Sequence, residues 1–507
     1  MLVVSSLAMF TGTLVTTVVA VALPVMGPSL RLSYSEALWV QAIYVLAMSV
    51  SLVPVGRLAD QHGLVRFFLI GSGIFGLFSI GCALAFNGPF LIAMRFLQGA
   101  GAAFTSATAS ALVTAAFPPE ERGRALGLNA MAGYVGLMLG PPIGGVIVSH
   151  TSWRWIFLVN VPIVLFNLSW GWKLRGAEDR DRARMSEAAV RPGPATGAAP
   201  GARTAGGAAR SGAAPARPTG PRGARARLDL PGTALLAAML AALLVPLIFV
   251  PFWGWVSPLT LGLLVGAVVL FASFVLVESK VEDPLLDLDL VRKNRQFAAG
   301  NAAAFLNYAA VYGVTTLTAV FLEVSERHTA QNTGFFMLTQ PLFMAALSPV
   351  FGRLSDKIGS RLPATAGMLL VAVGTAQLGL LPMPAPAWRV IVALAVVGIG
   401  MAAFSSPNTS SVMGSVGRSQ LSLASGFLGT MRTTGQGVSV ALLGAIAASG
   451  LGPTGGRVIF LGEKASEAAA TSYGEGFRTA MLVAAGLAVV GALVSMVRGQ
   501  PEEQKRH

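Results

Sequence analysis

Stretches of about twenty apolar residues recur along almost the whole chain, and this recurrence leaves few folds open. An α-helix needs about 20 apolar residues to cross the hydrocarbon of a bilayer, which is about 30 Å thick. Lipid offers no partner to a backbone amide, so a crossing segment must close its own hydrogen bonds, and runs of this length do so as helices. Fourteen spans can be placed, near 4–27, 37–56, 67–86, 90–113, 125–149 and 154–174, then 230–250, 258–278, 297–322, 332–352, 362–382, 388–412, 422–448 and 476–497. Only 11% of the 507 residues are charged, against about 25% in soluble domains. The expected fold class is an all-α polytopic membrane protein with fourteen transmembrane helices.

The net charge of +14 raises the question of a nucleic-acid partner. Its distribution answers no. Ten arginines lie between Arg180 and Arg227, in an Ala/Gly/Pro-rich stretch with only two acids, Asp181 and Glu187. Residues 176–228 show no apolar periodicity and read as a disordered basic linker. With the linker included, most of the basic residues fall on one side of the spans. If the loop after the second span is cytoplasmic, 27 lysines and arginines lie inside and 7 outside, while Arg95 and Arg432 lie within spans. That bias places both termini in the cytoplasm and the protein in the cell membrane, with membrane lipids as its surroundings. The first span is too long for a signal peptide, and no basic residue precedes Arg31.

One cysteine, Cys82, allows no internal disulfide and no thiolate metal cluster. His62, His150, His328 and His507 are scattered near predicted loops or ends. No metal and no cofactor are expected. A membrane enzyme would need an embedded cluster of nucleophile, base or metal ligands, and the spans hold no histidine or carboxylate near a helix centre.

Two polar octets repeat. Gly56-Arg57-Leu58-Ala59-Asp60-Gln61-His62-Gly63 follows the second span, and Gly352-Arg353-Leu354-Ser355-Asp356-Lys357-Ile358-Gly359 follows the tenth. Each therefore closes the second span of a six-span block. The domains read as 1–175 for the first block, 176–228 for the linker, 229–280 for two extra helices, 281–498 for the second block and 499–507 for a tail. Parallel six-span repeats are the architecture of a transporter that rocks about a site at the midplane. Gly56 and Gly352 permit close helix approach. Asp60 and Asp356 can cap the next helix or pair with arginine across the seam.

Three further stretches carry a family pattern. "LIAMRFLQGAGAA" in the fourth span holds Arg95, Gln98, Gly99 and Gly101; "GLMLGPPIGG" in the fifth holds Gly136, Gly140, Pro141, Pro142, Gly144 and Gly145. "WRWIFLVNVPI" (153–163) and "LDLPGTALL" (228–236) open the sixth and seventh. With the octets, these make the chain resemble the fourteen-span drug:proton antiporters of the major facilitator superfamily, over nearly everything but the linker. The resemblance implies alternating access and multidrug efflux, with protons as a possible coupling partner. It implies gating by Gly56, Asp60, Gly63, Arg66, Gly352, Arg353, Asp356 and Arg361. The fifth-span glycines and prolines would form the antiporter hinge, a pattern associated with exporters.

The first span departs from the pattern. Family members resemble L-D-x-T-I-V-N-V-A-L-P there. This chain reads "LVTTVVAVALP", with Val15 at the acid's place and Ala20 at the asparagine's. Glu323, near the outer end of the ninth span, is then the candidate for proton coupling. An arginine inside a span costs about 2.5–3.5 kcal/mol on insertion scales, so Arg95 and Arg432 should face the bundle interior. The substrate-cavity candidates are Arg95, Gln98, Gln41, Tyr44, Asn129, Asn301, Asn307, Tyr308, Tyr312, Gln340, Asn408 and Arg432. Two readings stay open: a proton-coupled exporter of lipophilic or amphiphilic small molecules, and an exporter or flippase of a lipid or lipid-like amphiphile with weak or no proton coupling.

Overall fold

The computed structural model describes residues 1–32, 34–173, 230–281, 288–448 and 467–497. The linker expected over 176–228 and the tail expected over 499–507 lie outside the described residues. Among the described residues fourteen long helical segments form: α1 Leu2–Leu30, α2 Tyr34–His62, α3 Leu64–Ala83, α4 Gly88–Ala116, α5 Arg122–His150, α6 Trp155–Lys173, α7 Leu230–Trp253, α8 Pro258–Glu278, α9 Arg295–Val320, α10 Ala330–Ile358, α11 Arg361–Gly379, α12 Ala387–Gly414, α13 Leu421–Ala448 and α14 Glu467–Met496. Eleven of them are long and apolar enough to cross a membrane by length and composition; α4, α7 and α13 are the other three.

Local chemistry sets several helix starts. The first backbone N–H groups of a helix have no partner within it. Asn87 accepts from Phe90 N ahead of α4, Ser257 from Thr260 N ahead of α8, Asn294 from Phe297 N ahead of α9 and Thr329 from Asn332 N ahead of α10. The last helix corrects the sequence boundary. Expected from 476, it begins at Glu467. Its first turns are small and polar, so hydropathy overlooks them, yet Ala470 is buried and Tyr473 and Phe477 belong to the core of the second block. The Tyr473 hydroxyl donates to Leu317 O at 3.2 Å.

The two blocks are built alike. In the first, α1 packs on α5, α2 on α4 and α3 on α4; in the second, α9 packs on α13, α10 on α12 and α11 on α12. Between the blocks the pairs are α2 with α13 and α5 with α10, which exchange when the blocks are exchanged. Both chain ends of the helical array lie on the face carrying the octets, here the motif face. The start of α1 packs with the starts of α3 and the ends of α4 and α6, and the end of α14 with the starts of α9 and α11.

The extra helices have unequal roles. Leu236 and Leu240 of α7 pack with Val53 of α2 and Leu423 of α13, so α7 lies along the α2/α13 seam. Trp39 of α2 and Phe249 of α7 extend that contact toward the opposite face, with ring centroids 4.9 Å apart. By contrast α8 is mostly outward, with Leu259, Val265, Val268, Val269, Phe271 and Leu276 exposed.

Candidate functional site: a sealed seam and a cavity between the blocks

On the motif face the blocks touch backbone to backbone. A Cβ placed on Gly56 would lie 2.5 Å from Ser422 O, and one on Gly426 would strike Leu52 O. At the second crossing a Cβ on Gly123 would lie 2.5 Å from Gly352 O, and one on Gly127 2.6 Å from Ser348 O. Small residues let helices approach this closely. The last glycine of each octet serves a different need. Gly63 and Gly359 have φ of 112° and 83°, a region favouring glycine, and connect one helix to the next with no intervening loop.

The octet aspartates complete the seal, and here the expectation is corrected. Neither caps the helix that follows it. Asp60 accepts from Ser422 N at 2.8 Å and Leu423 N at 2.7 Å, capping α13 of the other block. Asp356 accepts from Gly123 N at 2.7 Å and Arg124 N at 2.9 Å, capping α5. Each carboxylate meets unpaired amides and the positive end of a helix dipole. Ser406 Oγ donates to Gly123 O at 3.0 Å and Ser425 Oγ to Ser106 O at 3.4 Å, adding bonds across the same seam. Arg66, Arg353 and Arg361 are exposed on this face.

Beyond the seal lies a cavity of about 1300 Å³ lined by α1, α2, α4, α5, α7, α9, α10, α12 and α13, among other elements. Of the twelve candidates, Arg95, Gln41, Tyr44, Asn129, Tyr308, Tyr312, Gln340 and Arg432 line it. Four do not. Gln98 is buried behind Arg95, donating to Ser79 Oγ at 2.7 Å. Asn301 donates to Phe297 O on its own helix, and Asn307 reaches Met368 Sδ. Asn408 is buried on α12, where a Cβ added at Gly300 would lie 3.7 Å from its Oδ1. Polar groups in an apolar interior bond to the nearest backbone or side chain whether or not they face a void. Tyr134 of α5 lines the cavity and was not among the candidates. The signal for it is its phase: Gly136, Gly140 and Gly144 mark the face of α5 turned to α1, and Tyr134 shares the neighbouring face with Leu137, Met138, Pro141 and Pro142.

The two cavity arginines differ. Arg95 is 1% exposed. Its Nε donates to Val40 O at 3.0 Å, its Nη1 to Gln98 Oε1 at 2.7 Å, and its guanidinium lies 4.3 Å from the Tyr44 ring centroid. Arg432 donates one bond, from Nη2 to Thr409 Oγ1 at 2.5 Å, and lies 5.7 Å from the Tyr308 ring centroid. Val15, at the place of the family acid, is buried in an apolar cluster with Val40 and Tyr44 and does not line the cavity. Glu323, in a π-helical turn Phe321–Ser325 at the end of α9, is exposed and is the one carboxylate on the wall among the described residues.

In α5 the glycines pack against α1. A Cβ on Gly136 would strike Phe10 O, one on Gly140 would strike Thr17 Oγ1, and one on Gly144 would lie 3.3 Å from Val18 Cγ1. Gly145 has open space, and α5 runs through Pro141 and Pro142 as one helix. The hinge expected of these residues is thus, in this conformation, a tight contact inside the first block.

The family described as Major Facilitator Superfamily matches residues 5–277, 230–440 and 301–507. The multidrug resistance protein Stp of Mycobacterium tuberculosis is 32% identical over 457 residues, covering 89% of this chain and 76% of that protein. The riboflavin transporter RibZ of Clostridioides difficile is 28% identical over 431 residues, covering 85% and 84%. Among solved structures, the human organic anion transporter MFSD10 (TETRAN) shares the fold with a TM-score of 0.61 at 13% identity, covering 97% of this chain and 98% of that one.

Proposed function

The chain belongs to the Major Facilitator Superfamily of membrane transporters, and from that premise we propose that it exports lipophilic or amphiphilic small molecules, in the manner of a multidrug efflux protein, by alternating access. The observation that carries the reading is the cavity of about 1300 Å³ between two blocks that are sealed together on the motif face. Its exposed wall is largely apolar, with hydroxyl and amide groups scattered over it, which suits amphiphilic ligands held mainly by shape and burial. The excess of Lys and Arg on the motif face makes that face cytoplasmic. The conformation described is then closed to the cytoplasm, and rocking the blocks apart at the two glycine crossings exposes the cavity to it. The fifth-span glycine and proline pattern and the resistance protein among the relatives support export. Glu323 is the residue through which a proton gradient would couple.

A second reading, movement of a lipid or lipid-like amphiphile, is favoured by the α5/α10 seam. Beyond its crossing Pro141, Pro142 and Phe335 are exposed and line the cavity, and no atom lies within 4 Å of a Cβ placed on Gly145 or Gly334. The α2/α13 seam is covered by α7, which puts Leu244 and Leu247 into the cavity wall. On this reading a lipid-soluble molecule would reach the cavity from the side at the α5/α10 seam. The test is flux of a fluorescent amphiphile in reconstituted vesicles, with and without an imposed proton gradient. Gradient-driven flux supports the first reading and gradient-independent flux the second. Flux equal to that of protein-free vesicles removes both.

A further inference from the structure

We propose that the cavity selects substrates carrying an acidic group, a carboxylate, sulfonate or phosphate, and that Arg432 is the residue that reads this group. The proposal rests on the exporter reading and names its substrate class. Three observations carry it. The cavity wall holds two arginines, and among the described residues its one carboxylate, Glu323, stands at the outer end of α9. No acid on the wall balances the deep positive charge, which an apolar surround leaves poorly screened.

The second observation is that Arg95 is already engaged through two of its nitrogens, Nε and Nη1. It donates to Val40 O and Gln98 Oε1, stacks on Tyr44, and is 1% exposed. Gln98 is held in turn by Ser79, whose hydroxyl donates to Phe75 O at 2.6 Å. This network ties α4 to α2 and α3, so Arg95 is a positioning residue for the first block.

The third observation is that Arg432 is not satisfied. Its Nη2 meets Thr409 Oγ1, but its buried Nε has no hydrogen-bond partner among the described residues. Thr409 Oγ1 donates to Ser405 O at 2.8 Å, so it receives the arginine without neutralising it. Arg432 lines the cavity with this Nε buried and unpartnered, so a small turn of the guanidinium presents to an oxyanion the edge it takes in a forked pair. Tyr308 lies beside the guanidinium and Tyr134 packs near Tyr308 from the other block. The acidic group would then sit where both blocks meet, with the apolar body along Met344, Met401 and Val311.

The experiment uses the full chain in lipid nanodiscs and a matched probe set: pyrenebutyrate, pyrenebutanol and pyrenebutyl-trimethylammonium. Binding is read by energy transfer from tryptophan to pyrene, and flux in vesicles with the same probes. The parent is expected to bind pyrenebutyrate about tenfold or more tighter than the alcohol, the scale of one charged hydrogen bond. Arg432→Gln removes that margin and leaves the alcohol within about twofold of the parent, while Arg432→Lys recovers part of it. Arg95→Gln lowers the thermal midpoint, and its folded fraction still prefers the anion. A parent that prefers the cation, or an Arg432→Gln that keeps the anion ranking, overturns the proposal. Flux of all three probes without charge preference also overturns it while leaving the exporter reading standing. Absence of flux for every probe removes the exporter reading, and the binding ranking still decides the role of Arg432.

Discussion

Asp60 of α2 and Ser422 of α13 stand 362 residues apart in sequence, and the carboxylate of the first accepts the backbone N–H of the second at 2.8 Å. The same relation recurs in mirror order between Asp356 of α10 and Gly123 of α5. The repeated octet is therefore a pair of reciprocal latches. Each block supplies the acid for the helix start that the other block supplies.

The latches should be separable by mutation. Asp60→Asn and Asp356→Asn each remove the charge that faces a helix start, an effect of about 0.5–2 kcal/mol. Each variant should raise the fraction open on the motif face several-fold, and the pair more than either. The readout is maleimide labelling of a thiol introduced at Ser425, buried at the seam, in a Cys82→Ala background. Labelling at the parent rate in the double variant would mean that the glycine crossings alone hold the seal.

Two neighbouring glycines of α5 give an internal control for packing. Gly140→Ala drives a methyl into Thr17, so the cost should be about 1–3 kcal/mol, as for overpacking, seen as a lower thermal midpoint. Gly145→Ala meets nothing within 4 Å and should leave the midpoint near that of the parent. Equal effects at both positions would contradict the α1/α5 contact described.

Proton coupling has one test on the cavity wall. Glu323→Gln keeps size and hydrogen-bonding reach but cannot ionise. It should abolish stimulation of flux by an imposed proton gradient and leave downhill flux measurable. Undiminished stimulation in the variant would assign coupling to another group or show that Glu323 has no part in it.

Much of this architecture is legible in the sequence because a membrane dictates length. The octets locate the second helix of each block, and apolar runs locate the rest to within a few residues. What hydropathy does not encode is which face of a span turns inward, since lipid and protein core are both apolar. Asn301 and Asn307 thus look like Tyr308 and Tyr312 in the sequence, yet the first two bond inside the second block and the last two line the cavity. Tyr134 escapes for the same reason. The partners of Asp60 and Asp356 are invisible for a different reason: a cap normally lies next to its helix, and these lie 362 and 233 residues away.

The acid missing from α1 also has a structural counterpart. Val15 is buried among apolar neighbours, and Arg95 finds Val40 O, Gln98 and Tyr44 in place of a carboxylate. Gln98 supplies one of the two acceptors that hold the buried Arg95, so Gln98→Leu should be more damaging than its position away from the cavity suggests. It leaves Arg95 short of one hydrogen-bond acceptor in a buried site, a loss of about 1.5–3 kcal/mol for a hydrogen bond to a charged group. Thermal melting of the detergent-solubilised protein checks it.

If substrate crosses by opening the seal on the motif face, holding that seal shut must stop transport. Cysteines at Ser106 and Ser425, whose side chain and backbone already meet across the seam at 3.4 Å, can lock that seal in a Cys82→Ala chain. Flux of a fluorescent amphiphile is then measured in vesicles before oxidation, after oxidation with the cross-link verified by mass spectrometry, and after reduction. Flux should stop when the disulfide forms and return when it is reduced. Flux that continues at the starting rate through a fully cross-linked seam would contradict that route.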